Sequence, residues 1–85
     1  MPEISRFLGI VITMYFNDHD PAHFHAGYGN YEVKVFVDSG LVEGRFPKRA
    51  LRMVLEWYEA HVAELEQDWA LASEHKPLMP IAPLE

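Results

Sequence analysis

From Gly9 to Phe16 the side chains alternate, with Ile10, Ile12, Met14 and Phe16 on one side and Val11, Thr13 and Tyr15 on the other. A period of two with β-branched and aromatic residues predicts a strand over 9–16. Asn17-Asp18-His19-Asp20-Pro21 reads as a turn, because Asn and Asp bond their own backbone and proline fixes φ. A second strand is predicted over 22–28. Gly29-Asn30 forms a two-residue turn into a third over 31–37, and Ser39-Gly40 leads to a fourth over 41–46. These turns set a register that places Tyr28, Ala26 and Phe24 opposite Tyr31, Val33 and Val35. The second turn places Val37, Val35 and Val33 opposite Val42, Gly44 and Phe46. Every residue of that face is apolar or glycine, and a slip by one would turn it to water.

No glycine or proline interrupts residues 48–75, and Pro47 suits a helix start. Leu51, Leu55, Tyr58, Val62, Leu65, Trp69 and Ala72 recur at alternating spacings of four and three, which predicts one long amphipathic helix over 47–75. Pro77, Pro80 and Pro83 punctuate an extended tail over 76–85. The expected fold is α+β: a small antiparallel β-β-β-β meander over 1–46, one long C-terminal helix packed on one sheet face, and a proline-rich extended tail, all in a single domain over 1–85. An unbroken helix over 48–75 would run about 42 Å, against about 20–23 Å for strands of six or seven residues. The stretch from Val62 through Leu65 and Trp69 to Ala72 is therefore expected to overhang the sheet and to meet a second copy, a small partner protein or the chain's own tail; the alternative is a bend near His61–Ala63 that folds this half back as a core helix. Trp69 is its candidate anchor.

At 49% hydrophobic and 24% charged, the chain has the balance of a globular protein. It holds no cysteine, which excludes disulfides and thiolate metal sites. Near the start the longest aliphatic run is Ile10-Val11-Ile12, too short for a signal peptide or a membrane span, so a cytoplasmic location is expected. The net charge of −6 is unevenly spread. Residues 1–52 carry six acids and six bases, whereas residues 53–85 carry seven acids and the single base Lys76. Extended binding to duplex DNA is disfavoured by that balance. A local phosphate contact is compatible with it, since Arg45, Lys48, Arg49 and Arg52 are close in sequence.

The predicted register also lines up the opposite sheet face. His25 faces Lys34, and Lys34 faces Arg45, with His23, Phe36 and Glu43 in the next row. Like charges directly opposite weaken a sheet, but such a row suits an anion, with histidine able to exchange a proton near neutral pH. His25 and His23 are the candidate acid/base residues, and Lys34, Arg45, Lys48 and Arg49 the candidate anion-binding residues. The His23-Phe24-His25 spacing also suits chelation of one metal, completed by Asp18, His19 or Asp20. Lys34 opposite His25 would repel a cation, so neither metal nor cofactor is expected. His61 on the apolar arc reads as a packed histidine.

Several of these residues together resemble a family. Ile4-Ser5-Arg6-Phe7 with Gly9-Ile10, Met14-Tyr15, Asp18-His19, Pro21 and His23-Phe24-His25-Ala26 are similar to the small bacterial family known as domain of unknown function 4160. Arg49-Ala50-Leu51, Leu55-Glu56-Trp57, Trp69, Pro77-Leu78 and Pro80-Ile81 extend the likeness over nearly the whole chain. Ala22 stands where the family often has a second proline. The resemblance implies a bacterial protein encoded beside another uncharacterised family, domain of unknown function 2442, in a toxin–antitoxin-like arrangement. It implies no catalytic residue. The leading expectation is a partner-dependent protein whose outward sheet face contacts RNA or another phosphate ligand. A pure protein-interaction module acting through the helix seam and tail is the alternative, and a His-x-His metal-binding domain is a third.

Overall fold

The computed structural model of the chain describes residues 2–16 and 21–84. Asp18, His19 and Asp20 lie outside the described residues. Five strands form one antiparallel sheet in sequence order: β1 (Glu3–Phe7), β2 (Ile10–Thr13), β3 (His23–Tyr28), β4 (Tyr31–Phe36) and β5 (Val42–Arg45). Two helices follow, α1 (Lys48–Ala60) and α2 (Val62–Ser73). The α+β class and the meander therefore hold, with one strand and one helix more than the sequence predicts.

The additional strand is β1. It turns into β2 through Leu8 and Gly9, both at positive φ (51° and 82°), the backbone pattern of a type I′ turn. Leucine is a poor occupant of that position, which hides the turn from residue preferences. A register shift between Glu3 and Ser5 buries two consecutive side chains, Ile4 and Ser5, and so erases the alternation as well. On β2, Ile10 and Ile12 face the core and Met14 continues it just past the strand, but Phe16 is 42% exposed and stacks on His75 instead.

The β3–β4 hairpin has the expected pairs throughout, from Tyr28 opposite Tyr31 to His23 opposite Phe36. The β4–β5 connection differs. It is a four-residue loop, Val37 to Gly40, closed by Phe36 N–H to the Leu41 carbonyl at 2.9 Å and Gly40 N–H to the Phe36 carbonyl at 2.8 Å. The Ser39 hydroxyl accepts from Leu41 N–H, and the Tyr58 hydroxyl donates to the Val37 carbonyl, tying the loop to α1. Two extra loop residues slide β5 by two positions, so Lys34 faces Glu43 and Arg45 faces Glu32. The expected Lys34–Arg45 pair does not form.

The single long helix is also corrected. The molecule measures 33 × 24 × 22 Å, shorter in every direction than the about 42 Å an unbroken helix would need. At His61 the backbone leaves the helical region (φ −130°, ψ 25°), and the ring bonds the Glu64 carboxylate at the start of α2. The buried stripe of α1 is Ala50, Val54 and Trp57, with Leu51, Leu55 and Tyr58 flanking it. Trp57 packs on Phe7 and Phe24 of the inner sheet face. α2 turns back so that Leu65 and Ala72 are buried in the chain's own core, and Trp69 lies against His23 with ring centroids 5.1 Å apart. Of the four residues expected to overhang, Val62 is half-buried as well. Burying a leucine-sized side chain stabilises by about 2 kcal/mol, enough to offset one interrupted helical turn.

Residues 76–84 have no regular secondary structure and run back across the domain. Met79 N–H donates to Asp68 Oδ1, Ile81 N–H to the Ile4 carbonyl, and the Trp57 indole N–H to the Ala82 carbonyl, all at 2.8 Å. Ile81 is buried. This strap thus touches α2, β1 and α1 within four residues. Among the described residues no helix is long and apolar enough to cross a membrane.

Asp68 is 1% exposed, and its Oδ2 has no hydrogen-bond partner among the described residues. Burial raises its pKa from the ordinary value; the Met79 N–H opposes that shift and the Glu64 charge adds to it. A carboxyl raised in the folded chain contributes stability below its unfolded pKa, and that contribution is lost as pH rises through the folded value. Asp68→Asn keeps an acceptor for Met79 and removes the buried charge. At neutral pH it should stabilise the protein by about 1 kcal/mol, the scale of one uncompensated buried polar group. Below about pH 4 the gain should vanish. Urea unfolding at the two pH values measures both, and an equal gap at both would refute the burial account.

Candidate functional site

Strand alternation turns one sheet face to the core and the other outward, and at the His23 end Trp69 of α2 reaches the outward face. Three rows cross that outer face. Val11, Gly27, Glu32 and Arg45 form one; Thr13, His25, Lys34 and Glu43 form the next; His23 and Phe36 form the third. The charged positions alternate in sign between rows and strands, unlike the all-cationic row the sequence predicts. Lys34 Nζ lies 3.7 Å from Glu43 Oε1 and over the Phe36 ring at 5.1 Å. Opposite charges across strands contribute a few tenths to about 1 kcal/mol.

The two histidines are differently placed. His23 is 4% exposed, ringed by Phe36, Trp69 and His25, and its Nδ1 lies 2.8 Å from the Pro21 carbonyl. A carbonyl only accepts, so that nitrogen carries the hydrogen. His23 is thereby a packed ring of a small aromatic cluster. His25 is half-buried with Nδ1 3.3 Å from Glu32 Oε2, its Nε2 is buried, and the Tyr15 ring meets it edge-on at 4.7 Å. The His25–Glu32 pair forms a ridge between two depressions. One, of about 210 Å³, is lined by Val11, Thr13, Tyr15, His25, Ala26, Gly27 and Glu32. The other, about 390 Å³ and more open, is bordered by His25, Glu32, Val33, Lys34, Glu43 and Gly44. No group of three or more His, Asp or Glu side chains suited to a metal ion occurs among the described residues.

The remaining cations gather at the corner between β5 and α1. Arg6, Lys34 and Lys76 each meet a carboxylate, from Glu3, Glu43 and Glu74 respectively. Arg45, Lys48, Arg49 and Arg52 are exposed and make no ion pair among the described residues. The first turn of α1 has no acidic residue and Pro47 supplies no side-chain cap, so its leading N–H groups and the helix dipole add to the same positive potential. The structure thus places three of the sequence-derived anion residues, Arg45, Lys48 and Arg49, at one corner with Arg52, and separates Lys34 from them by its pairing with Glu43. Glu32, Tyr15 and Gly27 escape sequence reasoning. Glu32 stands opposite Gly27 in the β3–β4 register that the Gly29-Asn30 turn already implies, and only its pairing with Arg45 depends on the observed β4–β5 register. Gly27 likewise carries a legible signal, a mid-strand glycine outside any turn.

A five-stranded antiparallel meander followed by two helices, with a ridged polar outer face, defines a small α+β fold. The chain belongs to the family of the domain of unknown function DUF4160, whose pattern it matches over residues 9–70. Neither a curated protein nor a solved structure matches it.

Proposed function

We propose that this protein binds single-stranded RNA, with the β5–α1 corner as its phosphate contact. The observation that carries this reading is the segregation of cations: the four exposed ones without carboxylate partners among the described residues fall within eight positions, from the end of β5 into the first turns of the uncapped α1. Neutralising phosphates releases condensed counterions, so affinity through such a corner falls steeply with salt. Arg45 connects the corner to the outer face, where it stands opposite Glu32. With Nε2 buried and Nδ1 against Glu32, His25 is placed to hold that carboxylate rather than to reach a substrate, which favours binding over turnover. Helix α2, with Glu64, Glu66 and Asp68 and no basic residue, disfavours a long duplex on that side.

The test is fluorescence anisotropy with a short labelled oligoribonucleotide in low-salt buffer. Arg49→Ala with Arg52→Ala should weaken binding about tenfold and flatten the log–log salt slope by about 1.4, the loss of two single-strand phosphate contacts. Both residues are exposed, so folding should be unaffected. Salt-independent binding, or none, would sink the reading.

A further inference from the structure

Four of the chain's five glycines have a backbone reason to be glycine: Gly9, Gly29, Gly40 and Gly44 all lie at positive φ. Gly27 does not. It sits inside β3, and a Cβ built on it would meet nothing nearer than the Tyr31 carbonyl at 4.0 Å. Neither the backbone nor the packing therefore asks for glycine there, and a glycine inside a strand weakens it. Such a position marks the close approach of a ligand or another backbone. Gly27 is part of the floor of the 210 Å³ depression, between Val11 and Glu32 in its row.

We propose that this depression is a nucleobase pocket with a preference for guanine; the proposal rests on the RNA reading above and names the base it selects. Gly27 leaves the floor open to a flat ring, and Tyr15 supplies an aromatic wall. Unstacked bases of single-stranded RNA are held by such stacking together with hydrogen bonds along their edges. The Glu32 side chain is 62% exposed, with one oxygen toward His25. An ionised carboxylate only accepts hydrogen bonds. Guanine alone among the four bases presents two adjacent donors on its Watson–Crick edge, N1–H and the N2 amine, and so matches two carboxylate oxygens. Arg45, directly across from Glu32, is positioned for the phosphate attached to a base so held, which joins the pocket to the basic corner.

The experiment has two arms on the full chain. In the first, anisotropy compares pentaribonucleotides of uridine with a central G, A, C or U. The G-containing strand should bind about tenfold tighter, within the range for a good bidentate base contact. Glu32→Gln should remove that preference while leaving the salt slope unchanged, and Gly27→Val should remove it by filling the floor, with thermal melting to check that the sheet is intact. In the second, uncharged guanosine is titrated into labelled protein, and the NMR amide signals of Ala26, Gly27 and Glu32 should move while cytidine leaves them still. Equal, salt-dependent binding of all four strands with unmoved amides overturns the pocket and leaves the basic corner standing. Guanosine shifts without salt-dependent oligonucleotide binding support the pocket and overturn the RNA reading instead.

Discussion

Gly44→Ala should cost about 3 kcal/mol and pull β5 away from β4. Gly44 lies at φ 116°, a conformation side-chain-bearing residues rarely adopt, and a Cβ there would stand 2.5 Å from the Glu32 carbonyl oxygen and 3.1 Å from the Val33 Cα. Both neighbours are backbone, so no rotamer change relieves the clash. Strain of about 1–3 kcal/mol for the dihedral adds to an overpacking term of similar size. The carbonyl that must shift belongs to Glu32, so the groove is disturbed together with the strand. Urea unfolding gives the loss, and amide exchange in Val42–Arg45 reports the detachment. Gly27→Ala in the same sheet is the control and should be close to neutral. A loss below about 1 kcal/mol for Gly44→Ala would mean that β5 can reseat around a side chain.

Trp57→Ala should take the domain to the edge of folding. Trp57 is fully buried and is the largest side chain in the core, with ring centroids 5.8 Å from Phe7 and 5.6 Å from Phe24. Truncating a buried tryptophan costs about 3–5 kcal/mol, and here the Ala82 carbonyl also loses its donor. Domains of this size have roughly 4–13 kcal/mol in total. Trp57→Phe fills most of the space and removes only the indole N–H, so its loss should be smaller. Thermal melting by circular dichroism should show no cooperative transition at body temperature for Trp57→Ala and a lowered one for Trp57→Phe. Near-native melting of the alanine variant would show that the strap and α1 are held by something other than this side chain.

The parts of the fold that were legible in the sequence are those where a local signal and a long-range pattern agree. Gly29-Asn30 fixed the β3–β4 register because a two-residue turn and the alternation of Phe24, Ala26, Val33 and Val35 demand the same pairs. The β4–β5 register was illegible for a reason of parity. Alternation detects a slip by one, which exchanges faces, but a slip by two preserves faces and changes only partners. Val33 and Val35 are buried in either register, yet Lys34 meets Glu43 in one and Arg45 in the other. That single ambiguity removed the cationic row and brought Glu32 beside Arg45. The helix break at His61 was legible only as the alternative to a continuous helix, for a related reason. His61 is neither glycine nor proline, and both helices present apolar residues to one core, so the seam reads continuously through the bend. The candidate site was legible only in its components: His25 and the basic residues after β5 were visible, but the Glu32–Arg45 pairing that links them depends on the β4–β5 register.

The sheet is a pure meander, and every strand pairs with its neighbour in sequence. Contacts of that kind close short loops and form quickly. The strap is the opposite case, for Ile81 bonds Ile4 across nearly the whole described chain. The entropy of closing so long a loop has to be met before the bond gives anything in return. The two parts of the molecule therefore divide its kinetics. We expect the hairpins to set how fast the protein folds and the strap to set how slowly it unfolds. Ile81→Ala should then raise the stopped-flow unfolding rate while leaving the folding rate nearly unchanged.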